Sequence, residues 1–188
     1  MVCTANVGRS PLLAALLQEH ADQRLGSGVV SVGSAGVDAP AGAQAAEGSR
    51  RVAAGSGISL DGHRATPARF APLDDALLII TMTRRHRRIL TSYRDTLAPR
   101  TFALRELLAA VEAIGEFDEV VTDAKTPQER LQAVVAAADE RRPRTRLRRS
   151  FDIPDPIGGG EEAYRALGEE FGDATASLAD PLFGRTCG

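Results

Sequence analysis

A cysteine, an arginine and a serine stand within one short run, Val2-Cys3-Thr4-Ala5-Asn6-Val7-Gly8-Arg9-Ser10-Pro11. Their types and spacing suit attack by a thiolate on a bound phosphoryl group. Holding a phosphate dianion requires several backbone N–H groups converging on its oxygens, as in a nest between a strand end and a helix start. Thr4, Ala5, Asn6, Val7 and Gly8 supply the backbone for such a nest. Arg9 supplies a permanently charged, bidentate clamp, which a lysine would not. Cys3 supplies the sulfur; a helix N-terminus, the arginine and the Ser10 hydroxyl all suit a thiolate there. The competing reading is a buried cysteine acting as a small hydrophobe. The position of the run, at the first strand-to-helix turn of the chain, favours anion binding.

The elements that must position this run follow from periodicity. Met1 and Val2 read as the stub of a first strand. Pro11 to Leu25 predicts a helix, with Ser10 as its cap and Pro11 in its first turn. Val29 to Val32 predicts a second strand, ended by Ser34-Ala35-Gly36, and Ala41 to Ala54 a helix closed by Gly55 and Gly57. Leu77 to Thr81 is a continuous apolar run, as expected of a strand buried on both faces. Arg84 to Leu97 predicts a helix with an arginine-rich outer face. Thr101 to Leu104 is a fourth strand, leading into a helix from Arg105 to Ile114. Thr126-Pro127 opens a helix to Arg141, Phe151 to Gly160 is a Pro/Gly loop, and Glu161 to Leu178 is the final helix. This alternation predicts an α/β fold, a single domain over 1–188 with a parallel sheet and helices on both faces.

Composition excludes several classes. A formal net charge of −2 gives no basic field for nucleic acid. Two cysteines at opposite ends, Cys3 and Cys187, make neither a disulfide framework nor a metal cluster, so no metal and no cofactor is expected. No apolar run approaches membrane-spanning length, and no basic segment followed by an apolar one marks a signal peptide. A cytoplasmic location is expected. The arginines of Arg84 to Arg88 and of Arg141 to Arg149 read as solvated charge, with contact to a phospho-substrate or partner as the other reading.

The chain resembles the low-molecular-weight protein tyrosine phosphatase family. The likeness rests on the Cys3–Ser10 loop with its trailing Pro11. It extends to Ser34-Ala35-Gly36, to Asp61-Gly62-His63-Arg64-Ala65, to Leu77 through Met82-Thr83, and to Phe151-Asp152-Ile153-Pro154-Asp155-Pro156, in family order. The resemblance implies a four-stranded sheet in the doubly wound order 2-1-3-4. It implies that Cys3 is the nucleophile, that Arg9 binds phosphate and stabilises the transition state, and that Ser10 supports the thiolate. Asn6 maps to a loop asparagine in a strained conformation, held by a network that includes Ser34 and His63. Asp155 maps to the general acid, which protonates the leaving group and then activates water. Asp152 is the nearby competitor, and on residues alone Asp-Ile-Pro-Asp-Pro is equally a turn. A phosphotyrosine protein or another phosphomonoester is the implied substrate.

The chain also departs from the family pattern. Only two residues precede Cys3, where the family usually carries several apolar ones; the expectation is that the natural start lies further upstream and that restoring it raises the melting temperature. Ala5 stands where glycine is common, so the loop backbone must tolerate a Cβ. Ile157 follows Asp155-Pro156 where an aromatic often sits. Lys125 to Ser150 reads as an added helical insertion. Two other functions share such a loop: a thiol-dependent arsenate reductase, and a non-catalytic phosphate- or phosphopeptide-binding protein.

Overall fold

Alternation along the central strands decides the layering. Val2 and Ile79 enter one apolar cluster, while their chain neighbours Cys3 and Ile80 enter another, as side chains of successive strand residues must. Both faces of the sheet are therefore apolar and both need helices. The computed structural model describes residues 1–142 and 151–185. Its sheet contains β1 (Val2–Cys3), β2 (Ala35–Gly36), β3 (Ile79–Thr81) and β4 (Thr101–Ala103), all parallel, in the order β2-β1-β3-β4. The helices are α1 (Arg9–Leu25), α2 (Glu47–Gly55), α3 (Arg84–Tyr93), α4 (Leu104–Glu112), α5 (Phe117–Val120), α6 (Pro127–Glu140) and α7 (Gly160–Phe183). The larger core joins Leu12, Leu13, Ile80, Phe102, Phe171 and Leu178. The smaller one joins Val2, Ile79 and Leu90 on the opposite face. The doubly wound order expected from the resemblance is the order observed.

Several boundaries differ from the sequence expectation, each for a local reason. The second strand lies at Ala35–Gly36, not at Val29 to Val32. Gln18 of α1 occupies the backbone there, donating to the Val30 carbonyl at 3.0 Å and accepting from the Val32 N–H at 2.7 Å. A side-chain amide thus takes the bonds a neighbouring strand would have made. Helix α2 starts at Glu47, because residues 41–46 turn through Gly42 at φ 80° and pair with Ala65. Helix α3 ends at Tyr93, and Asp95–Arg100 form a 3-10 turn that contains Pro99. Ser10 is not the cap of α1: the helix begins at Arg9, Gly8 holds the cap position, and no side chain caps it. Helix α6 forms where expected, with Thr126 and Glu129 closing a reciprocal capping box.

Of the arginine tract from 141 to 149, only Arg141 and Arg142 are among the described residues. Arg142 is not solvated charge. Its guanidinium lies 3.7 Å from the Phe102 ring centre and donates to the carbonyls of Ala98, Pro99 and Thr101.

Met1 already takes part in the parallel ladder. Its amine donates to the Gly33 carbonyl at 2.7 Å, and its carbonyl accepts from the Ala35 N–H at 2.9 Å. A cavity of about 550 Å3 borders Met1, lined by Val32, Leu78, Leu131 and Phe183 among others. A chain extended before Met1 by a few apolar residues should bury them there. Each buried side chain contributes roughly 1.5–3 kcal/mol, and 1 kcal/mol moves Tm by about 2–4 °C at this length. Calorimetry should therefore show a rise of several degrees, and a Gly/Ser extension of equal length should show none.

Candidate active site

The loop from Cys3 to Ser10 leaves the C-terminal end of β1 and enters α1 without a break. Its form depends on one residue. Asn6 has φ 55°, the one positive φ at a non-glycine among the described residues. Such a conformation costs about 1–3 kcal/mol and needs surroundings that enforce it. Asn6 is fully buried, and its polar groups are held on several sides. Its side-chain N–H groups donate to Ser10 Oγ at 2.9 Å and Ser34 Oγ at 2.8 Å. Its Oδ1 accepts from the Thr66 N–H at 2.8 Å. Its carbonyl lies 2.7 Å from His63 Nε2; a carbonyl only accepts, so His63 carries a proton on Nε2. The expected group of Asn6, Ser34 and His63 is thus brought together, and the Thr66 backbone joins it. Ala5 does not share the positive φ, so the loop accepts its Cβ.

The turned Asn6 backbone aims its own N–H at Cys3 Sγ, at 3.2 Å. Ser10 Oγ lies 3.0 Å from the same sulfur. Ser10 has a single proton, and the Ala35 carbonyl at 3.3 Å competes for it. An anionic sulfur wins that competition, since charge-assisted bonds are the stronger ones. Gly36 makes the close approach possible: a Cβ on it would stand 2.4 Å from the Thr4 carbonyl oxygen and 2.8 Å from the Asn6 nitrogen.

Arg9 connects the two ends of the chain. Its Nη1 donates to the Ile153 carbonyl at 3.0 Å and its Nη2 to Asp155 Oδ2 at 2.5 Å. Asp155 is therefore against the phosphate loop. Asp152 is turned elsewhere: its Oδ1 accepts from the Arg84 N–H at the start of α3, at 2.8 Å. The 151–156 loop is anchored from behind, where Ile153 N–H meets the Met82 carbonyl at 2.8 Å. Arg105 also donates to the Asp152 carbonyl at 3.1 Å while gripping both oxygens of Glu170.

One residue at the loop went unread in the sequence. His86, buried on α3, puts its Nε2 2.9 Å from Thr4 Oγ1. Burial, with Arg9 and Arg85 nearby, pushes its pKa down to about 4, so the ring is neutral at physiological pH. Its Nδ1 is buried without a hydrogen-bond partner. No motif pairs positions 4 and 86; only the parallel adjacency of β1 and β3 brings them together.

The family model for low molecular weight phosphotyrosine protein phosphatase matches residues 1–123. The chain belongs to that family. Among curated relatives, the protein-arginine-phosphatase of Geobacillus stearothermophilus is 27% identical over 181 residues, 96% of this chain and 93% of that protein. A solved structure of the YwlE arginine phosphatase from the same organism matches with a TM-score of 0.66 at 28% identity, covering 96% of this chain and 89% of that one. The low molecular weight protein tyrosine phosphatase of T. tengcongensis matches with a TM-score of 0.67 at 25% identity, covering 96% of each chain. This family member is an enzyme, a phosphatase, and a cysteinyl-phosphate route fits the family. Neither the arsenate reductase nor the non-catalytic binding reading is favoured by these relatives. No helix among the described residues is long and apolar enough to cross a membrane.

Proposed function

We propose that the protein hydrolyses phosphotyrosine on protein substrates, with Cys3 as nucleophile, Arg9 as phosphate clamp and Asp155 as general acid and base. The observation that carries this reading is the joint contact of Arg9 with Ile153 and Asp155, from the same loop whose Cys3 sulfur has the Asn6 N–H and Ser10 Oγ beside it. The N–H groups of Thr4 to Ser10 and the Arg9 guanidinium hold three phosphoryl oxygens. The Cys3 thiolate attacks phosphorus and the P–O bond to the phenol breaks. Asp155 delivers its proton to the departing phenolate oxygen. The resulting Asp155 carboxylate takes a proton from water, the water oxygen attacks phosphorus, and the P–S bond breaks to release phosphate and the thiolate.

The Arg9–Asp155 pair gives this cycle an order. An incoming dianion competes with Asp155 for the guanidinium. Once Arg9 turns to the phosphate, Asp155 is released from the guanidinium and is free to meet the leaving-group oxygen. Ser10, Asn6, Ser34 and His63 hold the loop in shape through both steps.

Phosphoarginine is the second reading, favoured by the named activity of the Geobacillus relatives. Exposed Ile157, two residues beyond Asp155, offers an apolar edge to a phenyl ring and no polar side-chain group to a guanidino group. Matched peptides carrying phosphotyrosine or phosphoarginine test the choice. A higher kcat/KM for phosphotyrosine supports the proposal, and a preference for phosphoarginine overturns it.

A further inference from the structure

The first turn of α3 carries Arg84 and Arg85, Arg88 follows one turn later, and the turn has no acidic residue. Cations at a helix N-terminus oppose the macrodipole. Arg85 and Arg88 are spaced i,i+3, and Arg84 and Arg88 i,i+4, so their charges also repel along one face. Most other arginines among the described residues are engaged. Arg87 of the same helix turns inward, donating to the Thr101 carbonyl at 2.9 Å. Arg84 lies 3.9 Å from Asp152 and over the Phe151 ring. Arg85 and Arg88 are exposed, and their side chains have no hydrogen bond, ion pair or ring contact among the described residues; the same is true only of Arg185, near the end of the chain. Two unpaired cations in an unfavourable position violate a local rule without a compensating contact, which is expected at a functional surface.

Their position says which surface. The Arg84 N–H is bonded to Asp152 on the acid loop, and the intervening His86 ring touches Thr4 of the phosphate loop. Helix α3 therefore begins at the rim of the catalytic mouth. We propose that Arg85 and Arg88, extended by Arg84, form a cationic strip that receives acidic side chains flanking the phosphorylated residue, making acidic phosphoprotein segments the preferred substrates. This inference rests on the protein-phosphatase reading above.

The test compares two phosphotyrosine peptides of equal length, one flanked by aspartate and glutamate and the other by alanine, with an aryl phosphate as reference. The wild-type protein should favour the acidic peptide by about tenfold in kcat/KM at low ionic strength, mainly through KM, and less at high salt. The Arg85→Glu/Arg88→Glu protein should lose or reverse that preference. It should keep its aryl phosphate kcat/KM, and its Tm should not fall, because the exchange relieves the dipole conflict. Equal turnover of both peptides by the wild-type protein overturns the strip alone, as does a preference that survives the double exchange. Turnover of the aryl phosphate with no turnover of either peptide removes the protein-substrate reading and the strip together.

Discussion

Cys3→Ser is expected to lower turnover of an aryl phosphate by about four orders of magnitude or more without unfolding the protein. The exchange is nearly isosteric at a site 2% exposed, and the new hydroxyl keeps Ser10 Oγ and the Asn6 N–H as partners. What is lost is an atom able to carry negative charge at neutral pH. A serine would need a general base, and none is placed to serve it: Asp155 is paired with Arg9 and serves the leaving group in this step. His63 is committed to the Asn6 carbonyl, and neutral His86 faces Thr4. Phosphate should still bind, since the N–H groups and Arg9 are untouched. Steady-state release of the phenol, with circular dichroism as the control for folding, reads the result; retention of activity within tenfold would rule out attack by sulfur.

The reach of the sequence depended on how far apart in the chain the cooperating atoms lie. Cys3, Arg9 and Ser10 fall within eight residues, so the chemistry expected of them is legible in the string itself. Asp155 is far away, and its turn-like surroundings suggest an acid only through the family likeness; its contact with Arg9 is a product of folding. The strand at 29–32 failed because β-branched residues signal extended backbone but not its partner, and Gln18 proved to be that partner. His86 sits in an arginine-rich helix whose charge masks it, and its partner Thr4 is reached only through the sheet. Arg142 read as surface charge because the pattern of a basic run does not reveal that one guanidinium lies over Phe102.

Asp155→Asn is expected to slow a substrate with a poor, alkyl-like leaving group by about 10²–10⁴-fold, and to slow one with an activated phenol far less. Arg9 Nη2 and the Ile157 N–H use different oxygens of the carboxylate, so the single amide oxygen keeps one of these bonds and not both; the Ile153 N–H on the Met82 carbonyl still anchors the loop. The loss is then one of proton delivery and not of position. Asp152→Asn is the matched comparison. Its carboxylate meets the start of α3 and not Arg9, so its effect should not depend on the leaving group. A steep leaving-group dependence in the Asp152 variant, with none in the Asp155 variant, would reassign the acid.

In the proposed mechanism the phosphoryl group passes through the Cys3 sulfur. Rapid acid quench during turnover of an aryl phosphate, followed by mass spectrometry of the N-terminal peptide, tests it most directly. A phosphoryl adduct on Cys3 is expected to appear within one turnover, to accumulate in Asp155→Asn when the leaving group is activated, and to be absent from Cys3→Ser. Undiminished turnover with no adduct on Cys3 in either protein would contradict it.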